Sequence, residues 1–190
     1  TYINNEITIV DQSWPISGNI EFKNYSVRYR PNTPIVLKDL NISIKNGEKI
    51  GVVGRTGSGK STLCLSLFRI LEASSGSIFI DNQDISKIPL NILRRKLTII
   101  PQESAILDGS LRFNIDPIDS CCDDEIIQVL KNIGLFDILK NKDINAEITE
   151  ESLSVGERQL VCIARAIIRN SKIIVTDEAT ASIDLLTEEK

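Results

Sequence analysis

Glycine, lysine and serine occur at the spacing G-x-x-x-x-G-K-S between Gly54 and Ser61. Glycines allow a loop to curl so that its backbone N–H groups point inward at phosphate oxygens. Lys60 would then reach the β- and γ-phosphates of a nucleotide, and the Ser61 hydroxyl would ligate Mg²⁺. The alternative is a glycine-rich turn that matches by chance, and the strand–loop–helix context argues against it. The sequence therefore predicts a phosphate site that consists of Gly54, Arg55, Thr56, Gly57, Ser58, Gly59, Lys60, Ser61 and Thr62.

A pair of carboxylates stands at the end of an apolar run, where Asp177 and Glu178 follow Ile173–Thr176. Parallel strands present their C-terminal ends to the ligand crevice of such folds. Asp177 would then hold the hydration shell of Mg²⁺, and Glu178 would polarise an attacking water molecule. Taken alone, the pair is better explained by an acidic turn after a strand, since acidic residues often follow strands. The phosphate loop upstream favours the functional interpretation.

Strands and helices are predicted to alternate around these motifs. The apolar run Lys49–Gly54 is typical of a buried strand, and a helix is expected from about Lys60. Alternating apolar residues after Ile20 and Leu40 predict two neighbouring antiparallel strands. Further strands are expected over Ser77–Asp81, Leu97–Ile100 and Lys172–Thr176, and helices over Asp123–Lys140, Leu160–Arg169 and from Asp184. The alternation indicates an α/β fold with a largely parallel central sheet.

Composition limits the chemistry that this chain can perform. The 190 residues correspond to one domain and include no histidine, which excludes Ser-His-Asp nucleophiles and histidine-ligated metal sites. The net charge of -4 is unlike that of a nucleic-acid binder. The four cysteines form no C-x-x-C pair, which favours reduced thiols over a zinc site. No apolar run is long enough to span a membrane.

The ends of the chain predict a piece of a longer protein. There is no methionine, and the first residue is Thr1. Residues 1–19 contain Pro15 and Gly18 and have no clear periodicity, so we expect them to form a linker.

The segment Ser152–Gln159 has the sequence SLSVGERQ, in which Ser154 and Glu157 have the spacing of a capping box. A helix that begins here would present a hydroxyl and exposed N–H groups, which together form a second anion site. Without the other motifs, a well-capped structural helix would explain the segment equally well.

This segment resembles the LSGGQ signature of ATP-binding-cassette (ABC) proteins. The order of phosphate loop, Gln102, signature, acidic strand and Ser182–Asp184 also matches that family. The resemblance covers residues 20–190. The segments Trp14–Leu40 and Ser110–Pro117, together with valine in the signature, resemble the second nucleotide-binding domain of the C subfamily, the multidrug-resistance-associated exporters.

The resemblance implies an α/β P-loop NTPase fold. Its parts would be a RecA-like core with a mainly parallel sheet, an antiparallel β subdomain, and an α-helical subdomain over about residues 103–152. It also implies a nucleotide-binding domain over 20–190 that is incomplete at its C-terminus, because the switch histidine of the family lies farther along the chain than Lys190. On this interpretation residues 1–19 lead from an upstream membrane domain.

The resemblance further assigns roles to single residues. Tyr29 would stack on adenine, although a strand residue packed on its neighbour is the alternative. Gln102 would contact Mg²⁺ together with Ser61 and Asp177 and would couple to the membrane domain, although it is otherwise explained as a surface polar residue. Glu178 would be the catalytic base. Asp184 would belong to the D-loop, and the signature residues Ser154, Val155, Gly156 and Glu157 would face ATP bound by a partner domain.

The expected function is that of an ATP-binding and ATP-hydrolysing motor domain of an ABC exporter, with ATP and Mg²⁺ as its ligands. Its partners would be a second nucleotide-binding domain in a head-to-tail sandwich and the transmembrane domains, at the cytoplasmic face of a membrane; nucleic acid is not expected. By itself the chain would hydrolyse ATP weakly or not at all. The alternatives are a nucleotide-sensing domain of a channel-associated ABC protein and an ABC ATPase without a transport role. Glu157 stands where the family has glutamine, and it would weaken the signature unless its side chain takes part in the cap.

Overall fold

A computed structural model describes residues 11, 13–139 and 142–177. The chain divides into two units, Thr1–Leu97 and Thr98–Lys190. Each unit is described below by itself.

The first unit contains a four-stranded sheet, in the order β2-β1-β3-β4. Its strands are β1 (Ile20–Val27), β2 (Leu37–Ile44), β3 (Ser75–Ile80) and β4 (Gln83–Asp84), and each neighbouring pair is antiparallel. The predicted antiparallel pair is therefore confirmed. The pairing of β1 with both neighbouring strands is irregular between Phe22 and Ser26. Because of this irregularity, Phe22 and Tyr25 are both buried although they are three residues apart.

Two short helices accompany this sheet. Helix α1 (Lys60–Leu67) begins where the sequence predicts it, directly after the glycine-rich loop. Helix α2 (Leu90–Lys96) was not predicted. It buries only Leu93, so it has no apolar periodicity to recognise.

The strand predicted over Lys49–Gly54 is not formed. These residues are irregular, and the side chains of Ile50, Val52 and Val53 are 55%, 51% and 94% exposed. A buried strand in an α/β sheet needs a paired strand at its edge and cover on both faces. No strand of the described residues pairs with this run, so its apolar character alone does not produce a strand.

The last residues of the predicted linker pack against the sheet. Trp14 is buried, and its indole N–H donates to the carbonyl of Ile80 at 3.1 Å. The carboxylate of Asp81 accepts the backbone N–H groups of Ser17, Gly18 and Asn19 at 2.8–3.1 Å. Residues 14–19 therefore belong to the folded unit, while residues 1–10 and 12 lie outside the described residues and the domain boundaries stay a prediction.

The second unit contains two pairs of strands. Strand β5 (Leu97–Ile100) pairs with β8 (Ile173–Thr176), and β6 (Gly109–Ser110) pairs with β7 (Glu147–Ile148). Both longer strands were predicted. Within the part of the chain that the structure describes, β5 and β8 are the paired strands that correspond to the expected core sheet.

Four helices surround the core of this unit: α3 (Leu111–Ile115), α4 (Asp123–Asn132), α5 (Leu135–Ile138) and α6 (Val155–Arg169). Their apolar faces meet in one cluster, whose fully buried members include Ile126, Leu130, Leu135, Val161 and Ala164. None of the helices in the described residues is both long and apolar enough to cross a membrane.

Two helix predictions need correction. The single helix predicted over Asp123–Lys140 is divided, because Gly134 adopts a φ of 76° and separates α4 from α5. The helix predicted over Leu160–Arg169 begins five residues earlier, at Val155, because the cap at Ser154 starts it. The helix expected from Asp184 lies outside the described residues.

Candidate nucleotide-binding site

The loop over residues 54–59 is curved by its glycines. Gly57 and Gly59 have φ values of 80° and 99°, which side chains rarely allow. A Cβ atom on Gly54 would lie 2.5 Å from the Ser58 hydroxyl oxygen, and one on Gly59 would lie 2.8 Å from the Cδ2 atom of Leu37. The φ of Gly59 therefore favours glycine at that position, and a side chain at Gly54 would require the Ser58 hydroxyl to move.

Lys60 closes this loop from the first turn of α1. Its ammonium donates to the carbonyls of Gly54 at 2.7 Å and Arg55 at 3.3 Å. Gly59 occupies the N-cap, where no side chain of the described residues caps the helix. The first N–H groups of α1 and the exposed hydroxyl of Ser61 are thus positioned for an anion.

Tyr29 lies beside the same helix. Its phenol oxygen is 3.0 Å from the hydroxyl of Thr62, and its side chain is 52% exposed. Thr62 itself is buried and is the third residue of the helix. An exposed aromatic ring anchored next to a phosphate loop is suited to stack on a base.

Gln102 and Asp177 follow the ends of two paired strands. The N–H of Asp177 donates to the carbonyl of Ile100 at 3.1 Å, which continues the pairing of β5 and β8 by one residue. The structure therefore brings these two predicted magnesium ligands to the same end of one strand pair. Glu178 and Asp184 lie outside the described residues.

The signature segment forms the start of α6. The Ser154 hydroxyl accepts the N–H of Glu157 at 3.2 Å, and the Glu157 carboxylate accepts the N–H of Ser154 at 2.7 Å. The predicted capping box is confirmed. The side chain of Glu157 is therefore engaged in the cap of its own helix, while the N–H groups of Val155 and Gly156 are not part of this reciprocal pair.

Sequence reasoning missed Arg158, which supports the signature from one turn farther along α6. Its guanidinium donates to the carbonyls of Glu150 at 2.8 Å and Leu153 at 3.1 Å. These bonds hold the short 3₁₀ turn Glu150–Ser152 that leads into Ser154. In the sequence, the signal for this role is an arginine next to a capping box. That signal does not indicate which backbone carbonyls the arginine will bind.

The predicted residues thus form three groups. Residues 54–62 and Tyr29 lie together in the first unit. Gln102 and Asp177 follow the ends of the paired strands β5 and β8 in the second unit. The signature lies at the start of α6, also in the second unit. The curved loop, the ammonium and the hydroxyl of the first group suit a phosphate chain. The oxygen donors Ser61, Gln102 and Asp177 are of the kind that Mg²⁺ prefers.

Comparison with known proteins shows the family of this chain. A family model described as "ABC transporter" matches residues 37–181. The chain belongs to the ABC transporter family. It therefore has the fold of the ABC ATPase domain, a P-loop NTPase, as the sequence predicts.

Individual relatives place this ABC transporter chain near one subfamily. It is 48% identical over 182 residues to ATP-binding cassette sub-family C member 3 of Rattus norvegicus, covering 94% of this chain and 12% of the relative. It is 50% identical to the metal resistance protein YCF1 of Saccharomyces cerevisiae, covering 93% and 12%. The chain thus spans about an eighth of the length of these relatives.

A solved structure is similar as well. The structure of a bacterial Atm1-family ABC exporter with ATP bound matches with a TM-score of 0.84 and 30% identity, over 98% of this chain and 33% of that one. The resemblance to the C subfamily and to the ABC fold is thereby confirmed.

Proposed function

We propose that this chain is the ATP-binding and ATP-hydrolysing motor domain of an exporter of the ABC C subfamily. The observation that carries the proposal is the phosphate loop, in which glycine-dependent curvature and the Lys60 ammonium converge at the start of α1. The C-subfamily relatives and the ATP-bound exporter structure support it.

Each residue of the first group has a task in binding ATP. Lys60 exchanges its two carbonyl acceptors for phosphate oxygens, which its flexible stem permits. The loop N–H groups and the end of α1 hold the remaining phosphate charge. Tyr29 stacks on the adenine, with its ring oriented by the bond to Thr62.

Hydrolysis requires a metal site and an oriented water. Ser61, Gln102 and Asp177 are the residues that would hold Mg²⁺, which would neutralise charge on the phosphate oxygens. Glu178 follows Asp177 directly in the sequence and orients the water for attack.

Transport is coupled to these steps through a partner domain. The Ser154 hydroxyl and the N–H groups at the start of α6 bind ATP held by a second nucleotide-binding domain, in a head-to-tail pair. Closure of this pair around ATP drives transmembrane domains of the same transporter. The domain therefore works at the cytoplasmic face of a membrane.

Isothermal titration with Mg-ATP tests the phosphate loop. We expect Lys60→Ala to weaken ATP binding about a hundredfold, because hydrogen bonds to a charged donor are lost. Lys87→Ala, at the exposed last residue of the short 3₁₀ turn Ile85–Lys87, is the matched control and is expected to bind as the wild type does. Equal affinity of Lys60→Ala and the control would contradict the proposal.

A further inference from the structure

Arg165 lies in the C-terminal half of α6. Its side chain donates hydrogen bonds to a segment more than fifty residues earlier in the sequence. Its Nε donates to the carbonyl of Asn114, and its Nη1 donates to the carbonyl of Ala105 at 2.8 Å. Its Nη2 donates to the Asn114 side-chain oxygen at 2.9 Å. One guanidinium therefore spans both ends of the segment 105–114.

Asn114 completes the connection from the other side. It is 2% exposed, and its side-chain nitrogen donates to the carbonyls of Leu107 at 2.8 Å and Ser110 at 3.1 Å. Its side-chain oxygen also accepts the N–H of Leu107 at 2.9 Å. Both amide donors and both acceptor positions are thus used, which makes the network specific for asparagine.

The two connected elements each carry part of the proposed machinery. The segment 105–114 begins three residues after Gln102, and α6 begins at the capped signature residue Ser154. In the proposed function Gln102 serves the ATP of its own domain, whereas Ser154 serves the ATP of a partner. A rigid connection between them would let one nucleotide influence the other.

We propose that Arg165 and Asn114 are positioning residues that hold residues 105–114 on α6, so that Gln102 and the signature respond together to bound nucleotide. This inference rests on the proposed function. Arginine is required because the nitrogen atoms of its planar guanidinium reach separated acceptors at fixed angles, whereas the N–H donors of lysine all lie on one nitrogen atom. Replacing Arg165 with lysine keeps the positive charge but removes the guanidinium fork. Gln102 and the signature then no longer respond together.

Hydrogen exchange of the 190-residue chain, measured with and without saturating Mg-ATP, tests the inference. In the wild type, Mg-ATP slows exchange in both residues 102–108 and residues 154–160. In Arg165→Lys, ATP affinity stays within about twofold, the N–H of Leu107 exchanges about tenfold faster, and residues 154–160 no longer respond. Lys172→Arg, exposed three residues after the same helix ends, is the control and behaves as the wild type.

Asn114→Asp is a second variant of almost identical shape. Its carboxylate keeps the pair with Arg165 but cannot donate to the carbonyls of Leu107 and Ser110. We expect the same loss of the joint response. This variant therefore tests the connection without removing the guanidinium.

A joint response that persists in both variants would overturn the inference, as would a wild type in which Mg-ATP leaves residues 154–160 unchanged. Failure of the wild-type chain to bind ATP in a titration would instead contradict the proposed function. In that case the Leu107 exchange rate still decides whether Arg165 holds the segment.

Discussion

Glu157 places a negative charge in the first turn of α6, in a motif where glutamine is expected. Its carboxylate accepts the N–H of Ser154, so it satisfies one of the donors that a helix start leaves open. The charge also lies favourably with respect to the helix dipole. The substitution is therefore compatible with a formed signature, and its effect falls on the cap rather than directly on phosphate contacts.

Replacement of Glu157 separates the hydrogen bond from the charge. We expect Glu157→Ala to lower the free energy of unfolding by about 1 kcal/mol, since the capping box is broken. Glu157→Gln keeps an acceptor oxygen and is expected to cost about 0.5 kcal/mol, through the lost dipole interaction. Urea unfolding measures both. Equal losses for the two variants would show that charge, not the bond to Ser154, is what matters.

Residues that act locally could be predicted, and residues that act over long distances could not. The cap between Ser154 and Glu157 follows from a three-residue spacing. Arg158 and Arg165 bind backbone carbonyls, whose positions depend on the fold of distant segments. For the same reason the spacing of the glycine-rich loop predicts its curvature and the start of α1 after it, whereas the approach of Leu37 to Gly59 depends on the fold of a separate strand.

At the scale of elements, the segment 14–19 is attached to β3 mainly through Asp81. Burial raises the pKa of this carboxyl, but the hydrogen bonds from Gly18, Ser17 and Asn19 outweigh it and leave the pKa below the ordinary value of 3.8. A lowered pKa means that the folded state favours the charged form. The stabilisation is fully present above the unfolded pKa and is lost as the pH falls through the folded pKa.

Asp81→Asn tests this attachment. We expect the variant to lose about 1–2 kcal/mol of unfolding free energy at pH 7, because the acceptor is no longer charged and an amide group meets N–H donors. In acid, at a pH well below 3.8, the difference from the wild type should shrink, since Asp81 becomes protonated as the pH falls through its lowered pKa. Urea titrations at both pH values check this. If Asp81→Asn lowered the free energy of unfolding by the same amount at both pH values, the charged carboxylate would be excluded as the source of the stabilisation.

Elements were predictable where their own pattern decides their structure. Alternation identified β1 and β2, and Pro101 marks the end of β5 in the sequence. The run Lys49–Gly54 is also apolar, yet no strand within the described part of the chain pairs with it. Strands β6 and β7 have two residues each, which is too short for any pattern.

At the scale of the whole molecule, the second unit has a hydrophobic core of its own. The core of the second is built from α3 to α6, and it consists of residues beyond Leu97. Domains with their own cores can unfold separately, so that a two-state description fails.

Calorimetry tests this separation. We expect the van't Hoff enthalpy of thermal unfolding to be smaller than the calorimetric enthalpy. Leu130→Ala removes a fully buried side chain from the second core, at a cost of about 2–5 kcal/mol. It should shift one part of the transition to lower temperature. A single transition that moves as a whole would show that the units unfold as one.

The buried indole of Trp14 gives the chain an intrinsic optical probe. It is the one tryptophan in the sequence, and it is hydrogen-bonded to the first unit through Ile80. Its fluorescence therefore reports the solvent exposure of that unit. The far-ultraviolet dichroism of α-helices reports mainly the second, which contains the longest ones, α4 and α6. Recorded on one sample, the two spectra would follow each unit separately without any added label.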